Sequence, residues 1–236
     1  MTQLIAQIQA YPIFGIVATV ATFWLATTVC QRFGNPAILH PVLSATTLVG
    51  MMLVVTGMSY QTYLQQTILL NECLGLVIIL LAVPLYRQSG LIRAAGMPLG
   101  CALLTGSVVA ILSALSLPWV WGTSIELLAS LAPKSTTAAV AVEIAERMNG
   151  IAGLTAVIVI STGIFGAAFG PAILEAVGIE DERAAGFALG VASHAIGTAR
   201  AFQISDVAGA FASLGMILNA LLTIVLVPVL ITLLIA

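Results

Sequence analysis

Two short stretches place anion-binding residue types inside an otherwise apolar chain. The first is LAPKSTT, in which Lys134 is followed by Ser135, Thr136 and Thr137. An ammonium beside three hydroxyls suits a small carboxylate: the cation supplies a charge-assisted hydrogen bond, and the hydroxyls reach a neighbouring hydroxy or keto oxygen. The second is ALGVASHAIGTARAF, residues 188–202, which gathers Ser193, His194, Gly197, Thr198 and Arg200. A guanidinium stays charged, so at membrane depth Arg200 needs an anion or backbone carbonyls as its partner. His194 titrates near neutral pH, and Gly190, His194 and Thr198 share one helical face by their spacing of four. Ser135, Ala139 and Glu143 have the same spacing, about 12 Å from end to end at 1.5 Å per residue, so Glu143 is a candidate proton relay. Plainer readings stand beside these. Lys134 can snorkel to an interface, Glu143, Glu146 and Arg147 can form the solvated end of a helix, and Arg200 can pair with Glu143 or Asp206 while His194 packs in the core.

The elements that position these residues must lie in a membrane. Charged residues make up 7% of the chain and hydrophobic ones 61%, with a mean hydropathy of +1.16, whereas about a quarter of the residues in soluble domains are charged. Apolar runs near 13–31, 37–57, 66–86, 94–117, 151–177 and 212–235 are long enough to span. Polar residues interrupt 122–147 and 182–211, which read as broken or re-entrant helices. The expectation is an all-α integral membrane protein of about seven to eight membrane segments, two of them broken, forming a single transmembrane domain over 1–236. Pro133 disrupts a continuing helix but suits the start of a new one, Ser135, Thr136 and Thr137 can cap it, and Gly150 can stop it. Gly197 invites a second break, placed near Ser193–Thr198, after which Thr198 can cap. Non-helical backbone at membrane depth is tolerated only inside protein or against a wet cavity, so each break marks a site.

Other features bound the function. Arg32, Arg87, Arg93 and Arg147 follow alternate runs, which places those loops in the cytoplasm and the N-terminus outside. A net charge of −2 with scattered cations gives no basic patch, so nucleic acid is not an expected partner. Cys30, Cys73 and Cys101 lie far apart in apolar surroundings and suggest neither disulfides nor a metal cluster, and neither metal nor cofactor is expected. The start, MTQLIAQIQAYPIF, lacks the features of a cleaved signal peptide. His40, between two prolines, reads as structural. The stretches 81–96 and 140–154 both close an apolar helix through charge and Gly, a weak internal repeat.

LAVPLYRQ at 81–88, LAPKSTT at 131–137, TGIFGAAFGP at 162–171, the GFALGVASHAIGTARAF stretch and DVAGAFASL at 206–214 resemble the LrgB/CidB family of bacterial membrane proteins. That family also includes the plastid glycolate/glycerate translocator of plants. The resemblance implies a multi-pass protein of the bacterial inner membrane. It also implies one of two roles: transport of small 2-hydroxy or 2-oxo monocarboxylates of the glycolate, glycerate and pyruvate class, or holin- or antiholin-like control of murein hydrolases with a small LrgA/CidA-type partner. Asn71 and Glu72 depart from the family's Gly-Pro-Ala and argue against a third break.

The carrier reading is preferred. Assembly alone, including homo-oligomer formation through small-residue interfaces, would not require cations, an imidazole and hydroxyls clustered in broken helices. An enzyme is not expected, because no nucleophile–base arrangement or metal-ligand spacing is present. The carboxylate is then held by Lys134, Ser135, Thr136, Thr137, Ser193, His194, Gly197, Thr198 and Arg200.

Overall fold

The computed structural model describes residues 13–33, 39, 41–70, 72–73, 80 and 82–235. The chain divides into two compact units, residues 1–80 and 81–236. His40 and Asn71 lie outside the described residues, as does much of the 66–86 run.

In the first unit, α1 (Phe14–Arg32) packs on α2 (Pro41–Thr56), and α3 (Tyr60–Gln66) is bent 120° from α2. The bend is made at Gly57, whose φ of +67° suits glycine, and Ser59 then caps α3 by accepting from the Thr62 amide at 3.1 Å. Two polar ties hold α3 to α1: the Thr19 and Tyr63 hydroxyls at 2.7 Å, and the Gly15 amide donating to Gln66 Oε1 at 2.9 Å.

The second unit contains α4 (Ala82–Arg87), α5 (Ser89–Ala94), α6 (Gly96–Val120), α7 (Ile125–Leu131), α8 (Ala138–Arg147), α9 (Ala152–Ala176), α10 (Glu182–Ile204) and α11 (Asp206–Ile235). At 1.5 Å per residue, α6 and α9 are each about 38 Å long and α11 about 45 Å, enough to cross a hydrocarbon core of about 30 Å. Helices α7 and α8 are about 10 and 15 Å, so neither crosses alone. Their hairpin is seated in a core of Ile111 and Leu115 from α6, Leu128 and Ala129 from α7, Ala132 just after it, Ile144 from α8, and Val227 and Ile231 from α11.

The protein is therefore a multi-pass, all-helical membrane protein among its described residues. Four helices, α1, α6, α9 and α11, are long and apolar enough to span, or five if the bent pair α2–α3 counts as one span. The seven to eight segments expected from the sequence include the two interrupted stretches and the 66–86 run, part of which lies outside the described residues. The polar stretch GMSYQTYLQQ turns the chain after α2 into a short bent helix, and the interrupted stretches 122–147 and 182–211 are not among the long apolar spans.

Candidate functional site

The first break occupies residues 132–137, between α7 and α8. Pro133 is fully buried at its start, as its missing amide and fixed φ dictate. The new helix begins later than the hydroxyls alone suggest: Thr137 is the N-cap, in extended conformation, and its side chain makes no capping bond. The α8 N-terminus thus keeps its first-turn N–H groups uncapped by that residue, with the positive end of its dipole at the break. At the other end the stop is made by Asn149, at φ +57°, while Gly150 closes the turn by donating to the Ala145 carbonyl at 2.7 Å. Gly150 has a different duty: a Cβ there would meet the Ser130 amide at 3.0 Å.

The second break lies inside α10, at Ser193 (φ −130°, ψ 15°) and His194 (φ +43°, ψ −132°), at the start of the Ser193–Thr198 stretch where the sequence places it and three residues before Gly197. A positive φ at a residue with a side chain costs about 1–3 kcal/mol, so contacts must hold it. His194 Nε2 lies 3.0 Å from the Val159 carbonyl and donates to it, since a carbonyl only accepts. Thr198 donates back to the His194 carbonyl at 2.8 Å. Gly197 permits the turn for steric reasons, because a Cβ there would collide with the Leu189 carbonyl oxygen of the preceding half-helix.

Glycines on both sides make room for the break. On α9, a Cβ at Gly163 would sit 2.6 Å from His194 Cε1, one at Gly166 would strike Ser193 Oγ, and one at Gly170 would lie 2.6 Å from Leu189 Cδ2. On α10 itself, Gly186 and Gly190 rest against the backbone of Ala208 and Ala212 of α11. Close backbone approach of this kind is how membrane helices gain packing energy, since lipid supplies no hydrophobic driving force between them. Gly163→Ala is expected to cost about 1–3 kcal/mol by overpacking. Gly153→Ala on the same helix, where nothing lies within 4 Å of the added carbon, should be neutral or stabilising. Thermal midpoints of the two variants in detergent check this.

One residue joins the two breaks, and the sequence reading missed it. Asn219 of α11 is 1% exposed. Its Nδ2 donates to the Ser135 carbonyl at 2.9 Å and to the Val191 carbonyl at 3.1 Å, and its Oδ1 accepts from the Ser107 hydroxyl of α6 at 2.6 Å. Both carbonyls belong to interrupted backbone that a regular helix would have satisfied internally. A lone amide in the apolar run MILNALLTIVLV was the available signal.

Between the breaks lies an open cavity of about 650 Å³ lined by Lys134, Ser135, Ser161, Thr162, Ser193 and six small or apolar neighbours, including Gly106, Ala110, Gly166 and Ala192. Its depth can be read from the spans. Residues 106–110 are at the middle of α6 and residues 161–166 at the middle of α9. Lys134 is half-buried, and its Nζ lies 3.4 Å from Ser135 Oγ. No carboxylate pairs with it among the described residues, whose ion pairs are Arg147–Glu143 and Arg183–Asp181. The Thr136 hydroxyl is fully buried and has no hydrogen-bond partner among the described residues. Ser161 and Thr162 were also missed; a hydroxyl pair next to the α9 glycines marks them.

The remaining expected residues fall elsewhere. His194, Thr198 and Gly197 are buried beside the cavity and build the break without lining it. Arg200 is also absent from the lining; it is half-exposed, and its Nη1 donates to Gln203 Oε1 at 2.8 Å rather than to Glu143 or Asp206. Glu143 is exposed and ion-paired with Arg147 at 2.7 Å. Because α8 starts at Ala138, Ser135 is not on its helical register, and the structure does not bring Glu143 to Lys134. Glu146 is exposed at the same helix end.

At the start of α10, the Arg183 side chain and amide hydrogen-bond the Asp181 carboxylate and hold its pKa down at about 2. A depressed carboxylate contributes above its ordinary value of 3.8 and loses that contribution as pH falls through about 2. Asp181→Asn is therefore expected to leave any pH dependence of stability between pH 5 and 8 unchanged, as thermal scans across that range would show.

The comparisons with known proteins agree with one another. The model of the LrgB-like family matches residues 19–233. The chain is 33% identical over 218 residues to the Holin-like protein CidB of Staphylococcus epidermidis, covering 92% of this chain and 95% of that one. It is 34% identical over the same coverage to the Holin-like protein CidB of Staphylococcus aureus. It is also 34% identical to the uncharacterized protein YxaC of Bacillus subtilis, over 88% of this chain and 90% of that one. No solved structure matches it. With matched sequence running through both breaks, the glycines of α9 and Asn219, the chain belongs to the LrgB-like family.

Proposed function

We propose that this protein is a membrane carrier of small 2-hydroxy or 2-oxo monocarboxylates, the glycolate, glycerate and pyruvate class, bound at mid-depth between the two breaks. The observation that carries the reading is Lys134: an ammonium without a carboxylate partner among the described residues, half-buried in a cavity otherwise lined by hydroxyls and apolar side chains. An unpaired cation at that depth is costly unless an anion or water offsets it. A carboxylate supplies the charge, and Ser135, Ser161, Thr162 and Ser193 offer hydroxyls to a substrate's second oxygen. Crossed half-helices at mid-depth are the usual carrier solution for an anionic substrate. Arg200 and Glu143 are not part of this site as the structure stands, and His194 serves it by holding the break.

A second reading has its own support. The staphylococcal relatives are named holin-like, and family membership favours a holin-like regulator of murein hydrolases, acting in the bacterial inner membrane through assembly with further copies or with a small LrgA/CidA-type protein. Geometry favours the first reading and kinship the second. Uptake of labelled glycolate, glycerate, pyruvate and lactate into vesicles holding the purified protein alone separates them. Saturable uptake of at least one is expected. Uptake of none, by protein shown to be folded, would leave the regulatory reading.

A further inference from the structure

The span α9 meets the two broken segments toward opposite ends. Near its start, the Ile151 amide donates to Ser130 Oγ at 2.7 Å and the Thr155 hydroxyl donates to the Ser130 carbonyl at 3.1 Å. The α7–α8 segment has therefore come back, by residue 151, to the level it had reached at residue 130. Leu128 and Ile144 of that segment share a cluster with Leu115 and Ile231, each within two turns of the C-terminal end of α6 or α11. From its middle onward α9 meets α10 instead. The Val159 carbonyl accepts from His194, Gly163, Gly166 and Gly170 face His194, Ser193 and Leu189 in turn, and Leu174 packs on Leu189, Ala201, Ala208 and Ala212. The α10 segment also turns back. Ser205 Oγ donates to Glu182 Oε2 at 2.7 Å across a separation of 23 residues, whereas a straight helix would set those residues about 34 Å apart. The first half of α10 runs alongside α11, with Gly186 on Ala208 and Gly190 on Ala212. The second half runs against it, with Phe202 on Gly209 and the Thr198 hydroxyl donating to Met216 Sδ.

We infer that the two broken segments are re-entrant hairpins dipping from opposite sides of the membrane, and that each forms, with the span after it, one half of an inverted repeat: α7–α8 with α9, and α10 with α11. Each span leaves from the side on which its hairpin opens, so α9 and α11 cross in opposite directions. The hairpins also match in sequence at an offset of sixty residues. Ala132, Ala139, Ala141 and Ile144 recur as Ala192, Ala199, Ala201 and Ile204, and Lys134 falls on His194. Ala141 and Ala201 are both fully buried at the same point of the returning arm. Simple span counting puts Arg93 and Arg147 on one side of the membrane. With the first hairpin re-entrant they lie on opposite sides, because only α6 crosses between them. The use of this symmetry rests on the carrier reading. Two copies of one fold in opposite orientation give every arrangement that opens the Lys134 cavity to one side a counterpart, with the roles of the copies exchanged, that opens it to the other.

The test places single cysteines in the full chain with Cys30, Cys73 and Cys101 replaced by serine. Ser124→Cys and Glu146→Cys mark the two ends of the first hairpin, Glu180→Cys and Asp206→Cys those of the second, and all four positions are exposed. Trp121, Arg147, Val177 and Ile204, also exposed, report the same ends should any variant fail to fold. A membrane-impermeant methanethiosulfonate is added to sealed vesicles of one orientation, then to the same vesicles made permeable, and modification is read by mass. Ser124→Cys and Glu146→Cys are expected to react from one side, Glu180→Cys and Asp206→Cys from the other. Segments that cross the membrane would instead pair Ser124 with Glu180 and Glu146 with Asp206. That pattern, or either hairpin with its ends on different sides, would overturn the inverted repeat. Sidedness needs no transport, so its failure is distinct from failure of the carrier reading. Where uptake is present, Ser193→Cys, which lines the Lys134 cavity, is expected to be modified from both sides, since a cysteine reacts as its hydrated thiolate. Modification from one side only, or from neither, would overturn the alternating use of the repeat.

Discussion

Asn219→Leu is expected to destabilise the protein by about 2–4 kcal/mol and to loosen both breaks together. The change strips donors from the Ser135 and Val191 carbonyls and an acceptor from the Ser107 hydroxyl, all within a buried network. Each buried group left unsatisfied costs about 1–3 kcal/mol in soluble proteins. Hydrogen bonds between membrane helices are weaker, averaging about 0.6 kcal/mol, because the reference state in the bilayer also finds partners. The larger figure applies in part here, since the Ser135 carbonyl lies in the non-helical stretch between α7 and α8. Asn219→Ser, which keeps one donor and one acceptor, should recover part of the loss. Unfolding midpoints of the three proteins in detergent measure this. A leucine variant as stable as the parent would mean that the breaks are held by packing alone.

Lys134→Ala is expected to weaken binding of a small carboxylate by roughly 10- to 150-fold, the equivalent of one charge-assisted hydrogen bond of about 1.5–3 kcal/mol. Folding should survive, because the ammonium makes no ion pair with the described residues and touches only Ser135 Oγ at 3.4 Å. Lys134→Arg should retain part of the affinity, as the charge persists while the longer planar head fits the same space poorly. Thr136→Val is a companion. Its hydroxyl is buried without a partner among the described residues, so an isosteric methyl should leave the unliganded protein as stable or more so.

Much of this architecture was legible in the sequence, for identifiable reasons. Pro133 followed by Lys and three hydroxyls announced the first break, because none of these residues suits a helix facing lipid. Small residues around His194 announced the second. The places where the reading failed are local. His194, rather than Gly197, carries the unusual backbone, because an imidazole bond to Val159 overrides the steric preference for glycine at positive φ. That choice puts Arg200 on regular helix beyond the break, about 9 Å of rise from His194, where Gln203 satisfies it. Glu143 was aligned to Ser135 through a helix that does not begin until Ala138. Asn219 could not be assigned a partner from sequence at all: its bonds to residues 84 and 28 positions away exist only once both breaks are folded against α11.

The central claim is that the pocket between the breaks binds a small carboxylate through Lys134. Equilibrium titration of labelled glycolate against the purified wild-type protein and Lys134→Ala, each first shown to unfold at the same midpoint, tests it most directly. The account predicts saturable binding to the wild type and a dissociation constant at least about tenfold higher in the variant. Equal binding to both proteins would contradict it, as would no binding of glycolate, glycerate, pyruvate or lactate to the wild type.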